Sequence, residues 1–213
     1  MTEAPAGGRT VTETLDLLDW KRRVFALYEE VRASNAPERA WEEWRAVRDE
    51  LIRTHPQSPI RDRAARAAFP GPDYFPYHPA ARVLAEVQPA EPERVVIEAS
   101  ADGRYAFIRF GTARFELAGE RCGLSLFWLE GYGGGLFLSF RDATSGKTTY
   151  GACRYLLDTV KGADLGTEDG RLVLDFNFAY QPSCSYDPVW VCPLAPPENR
   201  LTVPVEAGER LTP

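Results

Sequence analysis

Between Thr14 and Val31 the apolar residues Leu17, Leu18, Val24, Phe25, Leu27 and Tyr28 recur at close to helical spacing, with charged residues between them. That pattern predicts an amphipathic helix with Thr14 as its N-cap. After Ser34-Asn-Ala-Pro37 a second stripe, Ala40, Trp41, Trp44, Val47, Leu51 and Ile52, predicts another helix. It stops before His55-Pro56, because a proline pushes the residue ahead of it out of the helical region. Together they form an N-terminal two-helix arm over residues 13–55, preceded by residues 1–12, whose small and polar composition predicts a disordered lead.

Residues 56–79 are too rich in proline for a helix or a central strand, yet Phe69, Tyr74, Phe75 and Tyr77 give them rings to pack, which predicts an ordered strap. From there the period changes to two. Alternating segments at 82–87, 94–99, 105–110, 113–118, 124–129, 136–140, 152–158, 171–178 and 201–205 are separated by Gly, Asp and Pro. They predict a mainly β domain over residues 80–213, an antiparallel β-barrel or β-sandwich, so that the whole chain is α+β.

Alternation also assigns faces. In 171–178 it puts Leu172, Leu174, Phe176 and Phe178 on one side and Asp175 and Asn177 on the other. In 150–158 it separates Cys153, Tyr155 and Leu157 from Tyr150, Arg154 and Asp158. If these strands are neighbours, Arg154 pairs with Asp175.

A chain of 213 residues, 44% of them hydrophobic, has enough apolar surface for one sizeable core. Its net charge of -6 offers no general attraction to phosphate backbones or anionic lipid, which argues against nucleic acid and membrane as partners. No apolar run approaches the roughly 20 residues of a spanning helix, and the first residues lack a signal-peptide core; the expected location is cytoplasmic. Four cysteines, unevenly spread, do not read as a disulfide framework and are expected to be reduced.

Residues 129–199 concentrate Gly, Tyr, Arg, Asp, Asn, Cys and Pro more densely than a plain β scaffold requires. The ligand-binding candidates there are Arg141, Asp142, Tyr150, Arg154, Asp175, Asn177 and Tyr180, a cluster suited to a small polar or anionic molecule because an arginine fork matches carboxylate or phosphate. Asp175 and Glu198 are the candidate bases if acid–base hydrolysis takes place. The competing account is a solvated sheet face with a structural Arg–Asp bridge, in which case the Trp41/Trp44 helix face docks a partner or a second copy, giving a homodimer through the arm.

Other motifs carry less. Ser145-Gly-Lys-Thr148 resembles part of a phosphate-binding loop, but Arg141 stands where that loop needs Gly, and a hairpin turn accounts for it. Cys184 and Cys192 lack the short paired spacing of a zinc site, so packing thiols are preferred to a metal pair, and nothing in the pattern calls for a cofactor. The only histidines are His55 and His78, both at the strap, which places no base beside a nucleophile.

The chain also resembles an uncharacterised, mainly bacterial family catalogued as domain of unknown function 1684. The resemblance rests on Trp44-Arg45, His55-Pro-Gln-Ser-Pro59, Tyr74-Phe-Pro-Tyr77, Phe140-Arg-Asp-Ala-Thr-Ser-Gly-Lys147, Tyr150-Gly151, Arg154-Tyr155, Asp175-Phe-Asn177, Ala179-Tyr180, Pro182-Ser-Cys184, Tyr186, Cys192-Pro193 and Glu198-Asn199. It implies a mostly β domain preceded by helices and brings no established activity or cofactor. Cys153 stands where the family pattern has Gly, and His78 where it has Asp.

Overall fold

The computed structural model describes residues 9–212; most of the predicted lead lies outside them. Helix α1 spans Val11–Ala33, starting ahead of the expected cap, because Thr10 and Glu13 form a capping box in which each side chain serves the other's backbone amide. Helix α2 spans Pro37–Thr54, opened by a proline in the first turn and stopped at His55 as expected. A short helix α3, Arg63–Ala68, interrupts the strap; the sequence pattern missed it, although Asp62 caps it.

The strands are β1 Asp73–Tyr74, β2 Arg82–Glu98, β3 Arg104–Leu117, β4 Glu120–Leu129, β5 Leu136–Phe140, β6 Arg154–Asp158, β7 Thr167–Glu168, β8 Arg171–Asp175 and β9 Glu209–Arg210. β1 and β9 form a small sheet, and the other strands form one antiparallel sheet in the order β6-β5-β4-β3-β2-β8-β7. The mainly β domain with its helical arm is as expected, but the sheet is not closed into a barrel. Its β6 edge is instead bridged, Tyr155 to Tyr180, by the chain returning after β8.

Two pairs of expected strands are single long ones. Segments 82–87 and 94–99 join in β2, and 105–110 and 113–118 join in β3. Pro89 and Pro92 lack amide protons, so the β2–β3 register shifts between Pro89 and Glu93 and alternation lapses there without ending the strand. Gly111 faces this bend in β3, where a Cβ would lie 2.9 Å from the Gln88 carbonyl oxygen. Segment 201–205 is not a strand of the sheet: Leu201, Val203 and Val205 are buried alternately, but the segment is held by other means.

The arm packs onto the β domain. Trp41, Trp44, Leu51 and Ile52 are buried, Trp44 meets Phe178 edge-on at 5.2 Å, and Trp41 Nε1 donates to the Asn177 carbonyl at 2.9 Å. Each such side chain removed from water contributes about 1.5–3 kcal/mol. The helix face that the sequence offered to a partner is therefore covered by the chain's own β domain. On α1 only Leu27 and Tyr28 are fully buried, while Leu18 and Phe25, counted in its stripe, are exposed. No helix among the described residues is long and apolar enough to cross a membrane.

Candidate functional site

The predicted polar cluster separates into local arrangements. Arg154 and Asp142 are a fully buried ion pair, Nη2 to Oδ2 at 2.7 Å. The guanidinium also donates to the carbonyls of Val205, Ala207 and Glu209, and lies over the Phe140 ring. Asp142 Oδ1 accepts from the Thr144 amide at 2.6 Å and from its hydroxyl, closing the Asp142–Thr149 turn that the sequence predicted in place of a phosphate loop. Arg154 does not meet Asp175: β6 and β8 are separated in the sheet by β5, β4, β3 and β2. The face assignment fails because residues 201–209 cover the second side of β6, so Arg154 is buried as deeply as its neighbours.

Asp175 and Asn177 are likewise buried, because β8 ends at Asp175 and the chain coils into a 3-10 turn over Phe176–Phe178, which breaks the alternation. Asp175 Oδ1 caps that turn, accepting from the Asn177 amide at 3.0 Å and from its Nδ2 at 2.8 Å. Asn177 in turn clamps the strap, accepting from the His78 amide at 2.9 Å and donating to its carbonyl at 3.0 Å. Burial holds the Asp175 carboxyl above the usual range, opposed by the bonds to Asn177. Asp175 also lines a cavity of about 420 Å³ with Arg32, Arg82 and Glu168, of which Arg82 and Glu168 are paired at 2.6 Å.

Arg141 donates from Nε to the Ala152 carbonyl at 2.6 Å, and Glu198 is exposed. Tyr150 Oη lies 4.0 Å from Cys184 Sγ, and burial, reinforced by that thiol, pushes its pKa up to about 12. All four cysteines are free, and among the described residues no group of three or more His, Cys, Asp or Glu is placed to hold a metal ion. His55 is buried against Trp20; its Nδ1 accepts from the Gln57 amide at 3.0 Å, so Nε2 carries the proton toward Asp19, 3.2 Å away.

Tyr180 belongs to a different site. A cavity of about 440 Å³ opens between the arm and the β6 end of the sheet. Leu17, Trp20 and Val24 of α1, Trp44 and Ile52 of α2, Tyr105 of β3 and Tyr155 of β6 form its apolar walls, and Tyr180, Tyr186 and Trp190 close one side. Among the described residues, the charged ones lining it are Arg9, Lys21, Arg48 and Lys161, with no Asp or Glu. Cys192 lines it too.

The cations are not equivalent. Lys161 is 3.3 Å from Asp158 and its side chain is largely exposed, whereas Lys21 makes no ion pair among the described residues. Arg48 Nη2 is 2.9 Å from Glu209 Oε2, and its guanidinium lies over the Tyr180 ring, 4.8 Å from the centroid. Arg48 Nε is buried with no hydrogen-bond partner, an arrangement that costs about 1–3 kcal/mol. Glu209 is fully buried behind it; burial pushes its carboxyl up, Arg48 opposes this most strongly, and the carboxylate accepts from the Gln181 amide at 2.8 Å and from the Tyr186 hydroxyl. Sequence reasoning missed this site. Its signal was present, since Lys21 and Arg48 lie within apolar stripes, at four residues from Leu17 and Trp44 respectively, where a solvated face would not need them.

The family model described as protein of unknown function (DUF1684) matches residues 67–210. Among solved structures, the chain is similar to the solution NMR structure of an uncharacterized protein of Haloarcula marismortui, with 37% identity and a TM-score of 0.59; the match covers 82% of this chain and 94% of that one. Among curated proteins none matches.

Proposed function

This chain belongs to the DUF1684 family of proteins of unknown function, and we propose that it binds a small molecule with an apolar body and one anionic group, such as a carboxylate, in the cavity between its helical arm and its β domain. The observation that carries this reading is the wall chemistry: aromatic and aliphatic side chains surround a volume of about 440 Å³, and the charged side chains among the described residues that line it are all positive. That volume falls within the usual range of roughly 300–1,000 Å³ for small-molecule sites. Lys21 supplies a cation with no acidic partner among the described residues, while the charge of Arg48 is already met by Glu209. The apolar walls contribute most of the binding energy, and the cations select the charge.

Trp20, Trp44 and Trp190 line the cavity, so an occupant alters their emission. Titration with octanoate, followed by intrinsic fluorescence, is expected to saturate, while octylammonium, with the same tail and the opposite charge, is expected not to. Lys21→Gln should weaken octanoate about fivefold, the equivalent of about 1 kcal/mol. Equal binding of the two probes, or no effect of Lys21→Gln, contradicts the reading.

A further inference from the structure

The cavity that Asp175 lines is separate from the one between the arm and β6: among the described residues the two share no lining side chain. Its volume of about 420 Å³ lies between the α1–α2 turn, with Arg32 and Pro37, and strands β2, β7 and β8, with Arg82, Glu168 and Asp175. Unlike the first cavity, it carries charges of both signs.

These charges are unequally met. Arg82 and Asp175 are paired directly across β2 and β8, so their side chains leave the same face of the sheet. Arg82 nevertheless reaches to Glu168, at 2.6 Å, and among the described residues Asp175 has no ion pair. The Asp175 side chain is 2% exposed, and both of its bonds to Asn177 fall on Oδ1. Oδ2 accepts no hydrogen bond among the described residues. Nor is it one of the buried atoms sealed off without a partner, which are Arg45 Nε, Arg48 Nε, Ser139 Oγ and Arg210 Nε. It therefore keeps accessible surface, and the space open to it is this cavity. On the arm side, Arg32 Nη1 donates to the Asp164 carbonyl at 2.8 Å, while the Asp164 carboxylate stands 3.8 Å away. Helix α2 starts beside it: Pro37 lines the cavity, and the N-cap Ala36 has no capping side chain, which leaves the positive end of the helix uncapped.

We propose that this cavity binds a small zwitterion of the free amino acid class, with its ammonium on Asp175 Oδ2 and its carboxylate toward Arg32 and the start of α2. The ammonium supplies the donor that Oδ2 lacks and the counter-charge that Arg82 gives to Glu168 instead. The carboxylate meets a guanidinium that no acid holds closely. A purely anionic molecule would face the buried Asp175 carboxylate, and a purely cationic one would face Arg32 and the helix end, so the site asks for both charges together. The site is independent of what the first cavity holds.

The test is amide NMR of the isotope-labelled full-length protein, titrated with glycine and with γ-aminobutyrate, which hold the two charges close together and far apart. At least one of them is expected to give saturating shifts at the amides of Ser34, Asn35, Gly166 and Thr167, which line this cavity and not the first. Butanoate and butylammonium, each with one of the two charges, are expected to act there at least about tenfold more weakly. Asp175→Asn removes the carboxylate charge and keeps an oxygen for Asn177, and is expected to weaken the zwitterion about tenfold. The same spectrum shows whether that variant is folded; where it is not, Arg32→Gln, at the exposed mouth, is read in its place with a loss of about the same size. No saturating shift at these amides with either zwitterion, an equal response to butanoate or butylammonium, or undiminished affinity in the folded variant overturns the proposal.

Discussion

Arg48 of α2 and Glu209 of β9 are 161 residues apart in sequence and 2.9 Å apart in space. This contact ties the helical arm to the end of the chain at the base of the cavity. Glu209 is inaccessible and Arg48 nearly so, with side-chain exposures of 1% and 16%. Removing the arginine leaves a buried carboxylate without its counter-charge, so Arg48→Met is expected to destabilise by about 3–5 kcal/mol. Glu209→Gln, which keeps an acceptor for the Gln181 amide, should cost less. Urea unfolding of both variants checks the order; a smaller loss in Arg48→Met than in Glu209→Gln contradicts it.

The second buried pair holds the C-terminal segment. Arg154 reaches the carbonyls of Val205, Ala207 and Glu209 while paired with Asp142. Arg154→Met is expected to cost about 3–5 kcal/mol, and Asp142→Asn in the same chain to restore part of it, because the orphaned charge is then gone. Equilibrium unfolding of the single and double variants gives the coupling. Strictly additive losses would show that the two side chains act separately.

Asp175 predicts a pH dependence. Its folded pKa lies above the ordinary 3.8 because burial resists its charge, so the native state binds more protons than the unfolded state in that window. The stability it contributes is complete below the unfolded value and is lost as pH rises through the folded one. Asp175→Asn retains an oxygen to accept from Asn177 and removes this slope. Relative to wild type, the variant should therefore gain stability as pH rises above the ordinary carboxylate value and through the raised folded one, measured as urea midpoints. Parallel profiles contradict the assignment.

The arm is part of the core. Trp44 and Phe178 meet across it, and Trp41 bonds to the Asn177 carbonyl. A chain beginning at Pro56 would expose Tyr74, Phe178 and the cavity wall, and is expected to aggregate or to lose its cooperative melting transition. Light scattering and calorimetry of that fragment decide this. A stable, cooperatively melting monomer would mean that the arm is dispensable.

The sequence was most legible where one physical pattern dominated a whole element. The Trp41, Trp44, Leu51 and Ile52 stripe declared α2 and its buried face, and Pro56 marked its end. Alternation found the strands but broke them at Pro89 and Pro92, because a bulge interrupts the period without interrupting the pairing. It misplaced Arg154, Asp175 and Asn177 because their burial depends on what covers them: residues 201–209 in one case and a turn beginning at Phe176 in the other. The cavity was hidden for the same reason. Its walls come from α1, α2, β3, β6 and the loops around Lys161 and Trp190, and no local spacing joins them.

The central claim is that this cavity takes an apolar molecule bearing a negative charge, and thermal melting of the full-length chain tests it most directly. A ligand at 100 times its Kd stabilises by about 2.7 kcal/mol, which for a chain of this size raises Tm by roughly 5–10 °C. Octanoate at saturation is expected to give such a rise, octylammonium none, and Lys21→Gln a smaller response to octanoate. A Tm that octanoate leaves unchanged, or that both probes raise alike, contradicts the account.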